Sequence, residues 1–268
     1  MTENFSVYSS FLFTKSILRK QQILHIILVS VLCRHILMKG GITMNITTKS
    51  LFDLTKTITA DYLSQFECPW EALAGLKNYI ILLGRTLDTE KFYSPSENVW
   101  IAKSASVSPS AEINPPCIID EGAEIRHCAF IRGSAVVGKN TVVGNSTELK
   151  NVILFDSVQV PHFNYCGDSI LGYKSHLGAG SVTSNVKSDK SNVTLKDGQD
   201  TLETGLRKLG AMVGDYVEVG CNSVLNPGTV VFPHTNIYPL SCVRGVIPGE
   251  SIVKTGGVTV PKTKPNER

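Results

Sequence analysis

The stretch Ile101–Leu149, IAKSASVSPSAEINPPCIIDEGAEIRHCAFIRGSAVVGKNTVVGNSTEL, decides the fold. Read in steps of six it gives Ile101, Val107, Ile113, Ile119, Ile125, Ile131, Val137, Val143 and Leu149. Those three residue types fill roughly a quarter of an ordinary chain, so the run arises by chance on the order of once in a million. Four residues after each hit stand Ala105, Ala111, Cys117, Ala123, Ala129, Ala135, Thr141, Thr147 and Ile153, all small but the last. A helix repeats its apolar positions every three or four residues, and a strand every two. A period of six fits neither. It implies one short strand and one turn per six residues, three such sides to a coil. The expected fold is therefore all-β: a left-handed parallel β-helix of hexapeptide repeats, aliphatics inside and small residues near the corners.

Outward from that stretch the ladder is interrupted and then resumes. From Leu149 to Leu171 the step is 22 residues, four more than three sixes, which predicts a bulge. Leu171 and Leu177 resume the frame, and Val213, Val219, Leu225, Val231, Ile237 and Val243 carry it on. The polar segment at about 185–212 reads as an excursion holding a hairpin of Asn192–Lys196 and the residues after Gly198. The β-helix domain is placed at 99–248 and a tail at 249–268. Residues 44–98 read as a short N-terminal two-helix segment and linker. Leu51, Leu54, Ile58, Tyr62 and Phe66 share one face of a helix over 48–66. Pro69 opens a second helix that ends near Gly84. Such helices must bury their faces on the prism, each other or a neighbour, and capping one open end is one expectation.

Residues 1–43 differ from the rest. Ile23–Cys33 is apolar, but it is too short to span a bilayer. Arg19 and Lys20 could flank a secretion signal, yet Val31-Leu32-Cys33-Arg34-His35 offers no small-residue cleavage site. Lys39-Gly40-Gly41 could be encoded by a purine-rich run like a bacterial ribosome-binding site, just ahead of Met44. The expectation is a leader, disordered or absent from the native product, with an amphipathic anchor as the alternative. This segment also distorts the charge. The chain carries +3, but residues 1–43 hold +4, leaving −1 for the remainder. That balance argues against a nucleic-acid partner. Seven cysteines, an odd count with no C-x-x-C, suit a reducing cytoplasmic compartment. Cys117 falls on the ladder as a small apolar filler.

Function is sought where the ladder breaks. Val160-Pro161-His162-Phe163-Asn164-Tyr165-Cys166-Gly167-Asp168 sets a His and a Tyr three apart, before the return Leu177-Gly178-Ala179-Gly180. A histidine suits proton transfer near neutral pH, although a lone loop histidine is as readily just solvated. Arg132 and Lys150 each follow an inward aliphatic and are 18 residues apart, one full coil. They should stack on one face, roughly 5 Å apart. Such a pair makes a phosphate or carboxylate clamp, or else a solvated face with Glu148 neutralising Lys150. A metal-dependent hydratase would need three clustered histidines, and His127, His162, His176 and His234 lack the close pair.

The ungapped run Arg132…Glu148-Leu149-Lys150…His162…Tyr165…Asp168…Gly178-Ala179-Gly180…Asn185 resembles the acetyltransferase half of the bifunctional glucosamine-1-phosphate acetyltransferase / N-acetylglucosamine-1-phosphate uridyltransferase family. Thr204–Ala211 and Gly220-Cys221-Asn222-Ser223 are more similar to its archaeal sugar-1-phosphate members. The resemblance covers about 100–250. It implies His162 as general base, Arg132 and Lys150 on the sugar 1-phosphate, and Tyr165 and Asn185 on the sugar. It implies His176 and Lys190 as further substrate contacts. Acetyl-CoA, the co-substrate, would lie along Gly178, Ala179, Gly180, Cys221 and Ser223, between subunits of a homotrimer. No metal is required for acetyl transfer, and neither a nucleic acid nor a membrane is implied as partner.

Two residues depart from the family pattern. Val186 stands where a tyrosine is usual, and His176 where the bacterial enzymes have asparagine, so a galactosamine or another amino-sugar phosphate stays open. The nucleotide-binding opening L-x-x-G-x-G-T is absent, and residues 44–98 are too short for that domain, so no uridyltransferase activity is expected. The resulting expectation is an N-acetyltransferase on an amino-sugar 1-phosphate, glucosamine 1-phosphate first, feeding UDP-N-acetylglucosamine and cell-envelope precursors. The alternatives are an acetyltransferase on another amino-sugar acceptor and a catalytically silent sugar-phosphate-binding or scaffold protein.

Overall fold

The computed structural model describes residues 46–197 and 200–263, so the leader expected at 1–43 and the last five residues of the tail lie outside the described residues. Parallel rungs stack the chain into a β-solenoid of about eight turns with few helices. On the first face the inward residues run Ile101, Ile119, Val137, Leu154, Leu171, Val213, Val231 and Ile247. The second face carries Val107, Ile125, Val143, Val160, Leu177, Val219, Ile237 and Val253. The third carries Ile113, Ile131, Leu149, Cys166, Thr183, Leu225 and Val243. Nearly all are buried, each aliphatic worth roughly 1.5–3 kcal/mol. Burial raises the thiol pKa of Cys117 and Cys166 to about 12, so both act as inert fillers.

The first face is apolar on both sides. Alternation turns Ile118, Val136, Ile153, Ile170, Met212 and Val230 outward, yet all are buried. The N-terminal segment covers this side, with Phe52 on Phe155 at 5.1 Å between ring centroids. The helix Leu76–Gly84 packs near Cys117–Ile119 and Ala135–Val137. It ends on glycine because a Cβ at residue 84 would lie 2.2 Å from the Trp100 ring. Asp215 staples the segment to the coils, its carboxylate accepting the Asp53 and Tyr173 N–H groups at 2.7 Å each. Along the described coils the segment lies against a face, rather than only closing an end.

Several expected elements differ. The helix at 48–66 is three short pieces: Thr48–Leu51, a 3₁₀ turn Leu54–Lys56 and Ala60–Leu63. Capping side chains restart the chain each time. Thr47 and Ser50 cap reciprocally, and Asp53 accepts the Thr55 N–H. Pro69–Ala74 is also 3₁₀, joined through Gly75 to the helix at Leu76–Gly84. The linker at 88–98 holds strand Phe92–Ser96, antiparallel to Val99–Ala102. The tail at 249–268 holds Ser251–Val253, which continues the second face, and Thr259–Pro261, which turns back on it. An antiparallel strand thus occupies one outer edge of each large sheet, where unpaired backbone would invite association.

The expected four-residue bulge does not exist. Leu149 pairs with Cys166, Ile153 with Ile170 and Leu154 with Leu171, so this coil closes in 17 residues. The 22 residues from Leu149 to Leu171 are four sides, through Leu154, Val160 and Cys166, two of them one residue short. Leu154, Val160 and Cys166 are inward positions that a strict period of six passes over. The excursion departs after Asn185 and returns at Gly210, where the Gly210 N–H meets the Asp168 carbonyl at 2.8 Å. It carries the antiparallel hairpin Thr194–Asp197 and Asp200–Glu203. Val193 and Leu195 are buried and hold the hairpin down on the later coils.

Candidate active site

The shortened sides build a polar corner. Where the regular coil turns through Gly133 (φ +98°) and Ser134 (φ +52°), the next two turn through a single left-handed residue, Asn151 (φ +50°) and then Asp168 (φ +48°). Asn and Asp tolerate that conformation better than other non-glycine residues. Asn151 donates to Asp168 Oδ1 at 2.8 Å. Lys150 Nζ reaches both Asp168 oxygens at 3.1 Å, and Asn185 donates to Oδ2. The Asp168 carboxylate is buried, with a 6% exposed side chain, so these donors replace its water.

Arg132 and Lys150 stack on adjacent coils, as their 18-residue spacing implies. Each has its own acid. Arg132 Nη1 meets Glu148 Oε1 at 2.7 Å, which holds its pKa above the ordinary arginine value. Glu148 therefore pairs with Arg132 instead of Lys150, which takes Asp168. Gly167 occupies the next rung of the same column, and the Tyr165 ring lies over it, its hydroxyl 2.4 Å from where a Cβ would be. Asn185 Nδ2 donates to that hydroxyl at 3.2 Å. Burial first, then the Asp168 and Glu148 charges, push the Tyr165 pKa up, so the phenol stays protonated. Arg132, Lys150, Tyr165 and Asn185 thus form one cluster with Asp168 at its centre.

His162 ends the strand Gln159–His162 in register with Asn145, and Phe163 turns the corner at φ +51°. It is exposed, but it does not sit in a loop bulge. Its carbonyl accepts the Gly180 N–H at 3.0 Å. Its own N–H donates to Asn164, whose buried amide donates to the Gly178 and Ser181 carbonyls at 2.9 and 3.0 Å. The Gly178–Gly180 turn therefore fixes the backbone of His162, while the imidazole has no hydrogen-bond partner among the described residues. Gly178 itself answers to packing, since a Cβ there would lie 2.7 Å from the Cys221 N.

The remaining expected residues divide. His162, Ala179, Cys221 and Pro239 fall on successive rungs of one column. Beside it runs an open groove of about 240 Å³ whose lining includes His176, Gly178, Glu218, Cys221 and Tyr238. His176 bonds to Glu218 through Nδ1 at 2.9 Å, so it joins this groove and not the Tyr165–Asn185 cluster. Ser223 is fully buried, its hydroxyl donating to the Tyr238 carbonyl at 3.2 Å, and presents no side chain to a ligand. Lys190 is exposed in the excursion at φ +58°, outside the bonded cluster. Asp168 and Asn151 had no role assigned from the sequence. Their signal is the missing residue at each corner. Among the described residues no group of three or more His, Cys, Asp or Glu could hold a metal. No described helix is long and apolar enough to cross a membrane.

A family model described as the GMPPB C-terminal domain matches residues 113–247. The bifunctional sugar-1-phosphate nucleotidylyltransferase/acetyltransferase of Sulfurisphaera tokodaii is 31% identical over 97 residues, 36% of this chain and 24% of that protein. The bifunctional protein GlmU of Methanococcus vannielii is 35% identical over 106 residues, 40% of this chain and 25% of that one. The chain thus spans about a quarter of the length of these relatives. Among solved structures, the acetyltransferase domain of PglB from Neisseria gonorrhoeae with acetyl coenzyme A aligns at 16% identity and a TM-score of 0.26, covering 48% of this chain and 52% of that one.

Proposed function

The chain belongs to the GMPPB C-terminal domain family, and from that premise we propose that it is an acetyl-CoA-dependent N-acetyltransferase acting on an amino-sugar 1-phosphate, glucosamine 1-phosphate first. The reading rests above all on His162: an exposed imidazole on a backbone fixed by Gly180 and Asn164, a corner away from the Arg132–Lys150 column. In it, Arg132 and Lys150 hold the phosphate by exchanging part of their carboxylate contacts for phosphate oxygens. Tyr165 and Asn185 orient the ring. His162 accepts a proton from the sugar amine as its nitrogen bonds to the acetyl carbon. The C–S bond then breaks, and the departing thiolate takes that proton. General-base action of this kind typically contributes ~10²–10⁴-fold.

The groove beside Gly178 suits an extended, narrow arm, with Val219, Ile237 and Pro239 offering apolar contact. An acetyl-CoA arm laid there runs coil by coil toward His162. A trimer would seat that arm between two subunits. Thiol release from acetyl-CoA with glucosamine 1-phosphate tests the reading: His162→Ala should cut turnover at least ~10²-fold with the circular dichroism spectrum unchanged. Full activity in that variant removes His162 as the base. Formation of UDP-N-acetylglucosamine from UTP by the pure protein would overturn the proposal that this chain lacks uridyl transfer.

One observation favours a second reading. Both cations already hold a carboxylate, which suits a catalytically silent sugar-phosphate-binding protein or scaffold. Turnover with no amino-sugar phosphate, together with calorimetric binding of glucosamine 1-phosphate, would select it. Turnover with a galactosamine or nucleotide-linked amino sugar alone would change the acceptor and keep the chemistry.

A further inference from the structure

We propose that the cavity beneath the excursion hairpin is a second phosphoryl-binding site, built for a phosphate monoester and separate from Arg132 and Lys150. The cavity measures about 420 Å³ and lies between the root of the excursion, the strand Thr194–Asp197 and the last coils. Its charged lining is Lys187, Lys196 and Arg244 against one acid, Asp189. Ser188 and Thr194 add hydroxyls. The net charge of the wall is thus +2, matched to a dianion.

Three observations carry this. First, Arg244 follows the inward Val243 as Arg132 follows Ile131 and Lys150 follows Leu149. Register pairs run this column through Lys150, Gly167, Ser184, Asn226 and Arg244. Lys150 and Arg244 are four rungs apart, roughly 19 Å at a strand spacing of ~4.8 Å, so one phosphate cannot span both. Second, two of the three cations are poorly neutralised, whereas Lys187 Nζ donates to Ser191 Oγ at 2.7 Å and lies 3.8 Å from Asp189. Lys196 has no side-chain partner among the described residues, and Arg244 only approaches Asn226 Oδ1, at 3.4 Å. Arg132 and Lys150 each own a carboxylate. Third, the wall is built. Buried Val193 and Leu195 hold down the segment that carries Lys196, and its carbonyl crosses Gly245 so closely that a Cβ there would lie 2.7 Å away. A guanidinium fork, two ammonium groups and hydroxyl donors around one space are the groups that recognise a phosphate monoester.

The test is binding, so it does not depend on acetyl transfer. Calorimetric titration of the full chain with inorganic phosphate and with adenosine 3′,5′-bisphosphate should show binding that weakens steeply with salt. The double variant Arg244→Gln, Lys196→Gln should lose at least ~10-fold in affinity, while the distant Lys103→Gln should not. No binding by the wild type, or an unchanged affinity in the double variant, overturns the proposal. Coenzyme A and its 3′-dephospho form separate the sources. If the double variant erases a preference for coenzyme A, the site takes that 3′-phosphate. If it loses phosphate while the two forms bind alike, the site serves another phosphorylated ligand.

Discussion

Two corners of the same solenoid differ by a single residue. The corner after Arg132 turns through Gly133 and Ser134, and the coil around it repeats every 18 residues. The corner after Lys150 turns through Asn151 alone, and the one after Gly167 through Asp168 alone, where coils close in 17. Both geometries keep the inward ladder in register. In the short corner the left-handed residue directly follows the column residue. It aims its polar side chain along the column, where Asn151, Asp168 and Asn185 bond rung to rung. Deleting a residue therefore assembles the candidate site, and the regular coils around it are its scaffold.

The largest expected effect breaks that column at its centre. Asp168→Ala leaves Lys150, Asn151 and Asn185 without their shared acceptor and puts alanine at φ +48°. A fully buried pair broken on one side costs ~3–5 kcal/mol, and Lys150 keeps some access to water, so about 3 kcal/mol is expected from urea denaturation. A change under about 0.5 kcal/mol would mean the carboxylate is not bound as described. Next comes the converse edit, one glycine inserted between Asn151 and Val152, which restores the long corner. Stability should suffer less than in Asp168→Ala, but misplacing the lysine should cut turnover by about 10²-fold. Turnover within a factor of two of wild type would show that the short corner is incidental.

Glycine substitution gives a smaller and purely structural contrast. Gly178 faces the Cys221 backbone, whereas Gly205 has nothing within 4 Å. Gly178→Ala should cost about 1–3 kcal/mol through overpacking between coils, seen as a lower Tm. Gly205, at φ +72°, should cost only about 1 kcal/mol when replaced by alanine. Equal losses at the two sites would remove the packing account of the Gly-rich turn.

What could be read from the sequence follows the same division. The six-residue ladder from Ile101 to Leu149 states its architecture outright, because each side needs one large inward residue whatever surrounds it. The 18-residue spacing of Arg132 and Lys150 became a stacked pair for the same reason. The site was only half legible. A period of six reads two short sides as one bulge, and so places outside the coil a His162 that ends the strand Gln159–His162. Asp168 was in plain view but had no period to mark it, since its role comes from a corner that breaks the period. The N-terminal helices are shorter than their apolar spacing implies, because that spacing reports the covered face, while Thr47, Asp53 and Pro69 decide where each piece starts and stops.

The smallest effect tests a carboxylate in the regular coils against Asp168. Asp120 is also buried, yet only the Glu121 N–H reaches it, at 2.7 Å, and its Oδ2 has no partner. Burial raises its pKa above the ordinary carboxylate value, ahead of the opposing Glu121 N–H and the more distant Lys139. The folded state thus binds this proton more tightly than the unfolded chain does. Its contribution to stability is full below the unfolded pKa and is lost as pH rises through the folded one. Asp120→Asn keeps an acceptor for the Glu121 N–H and removes the charge. Relative to wild type, the variant should gain stability as pH rises from about 3 to about 7, read from denaturant midpoints at each pH. A gap that stays constant or reverses would show that Asp120 is as well satisfied by its neighbours as Asp168.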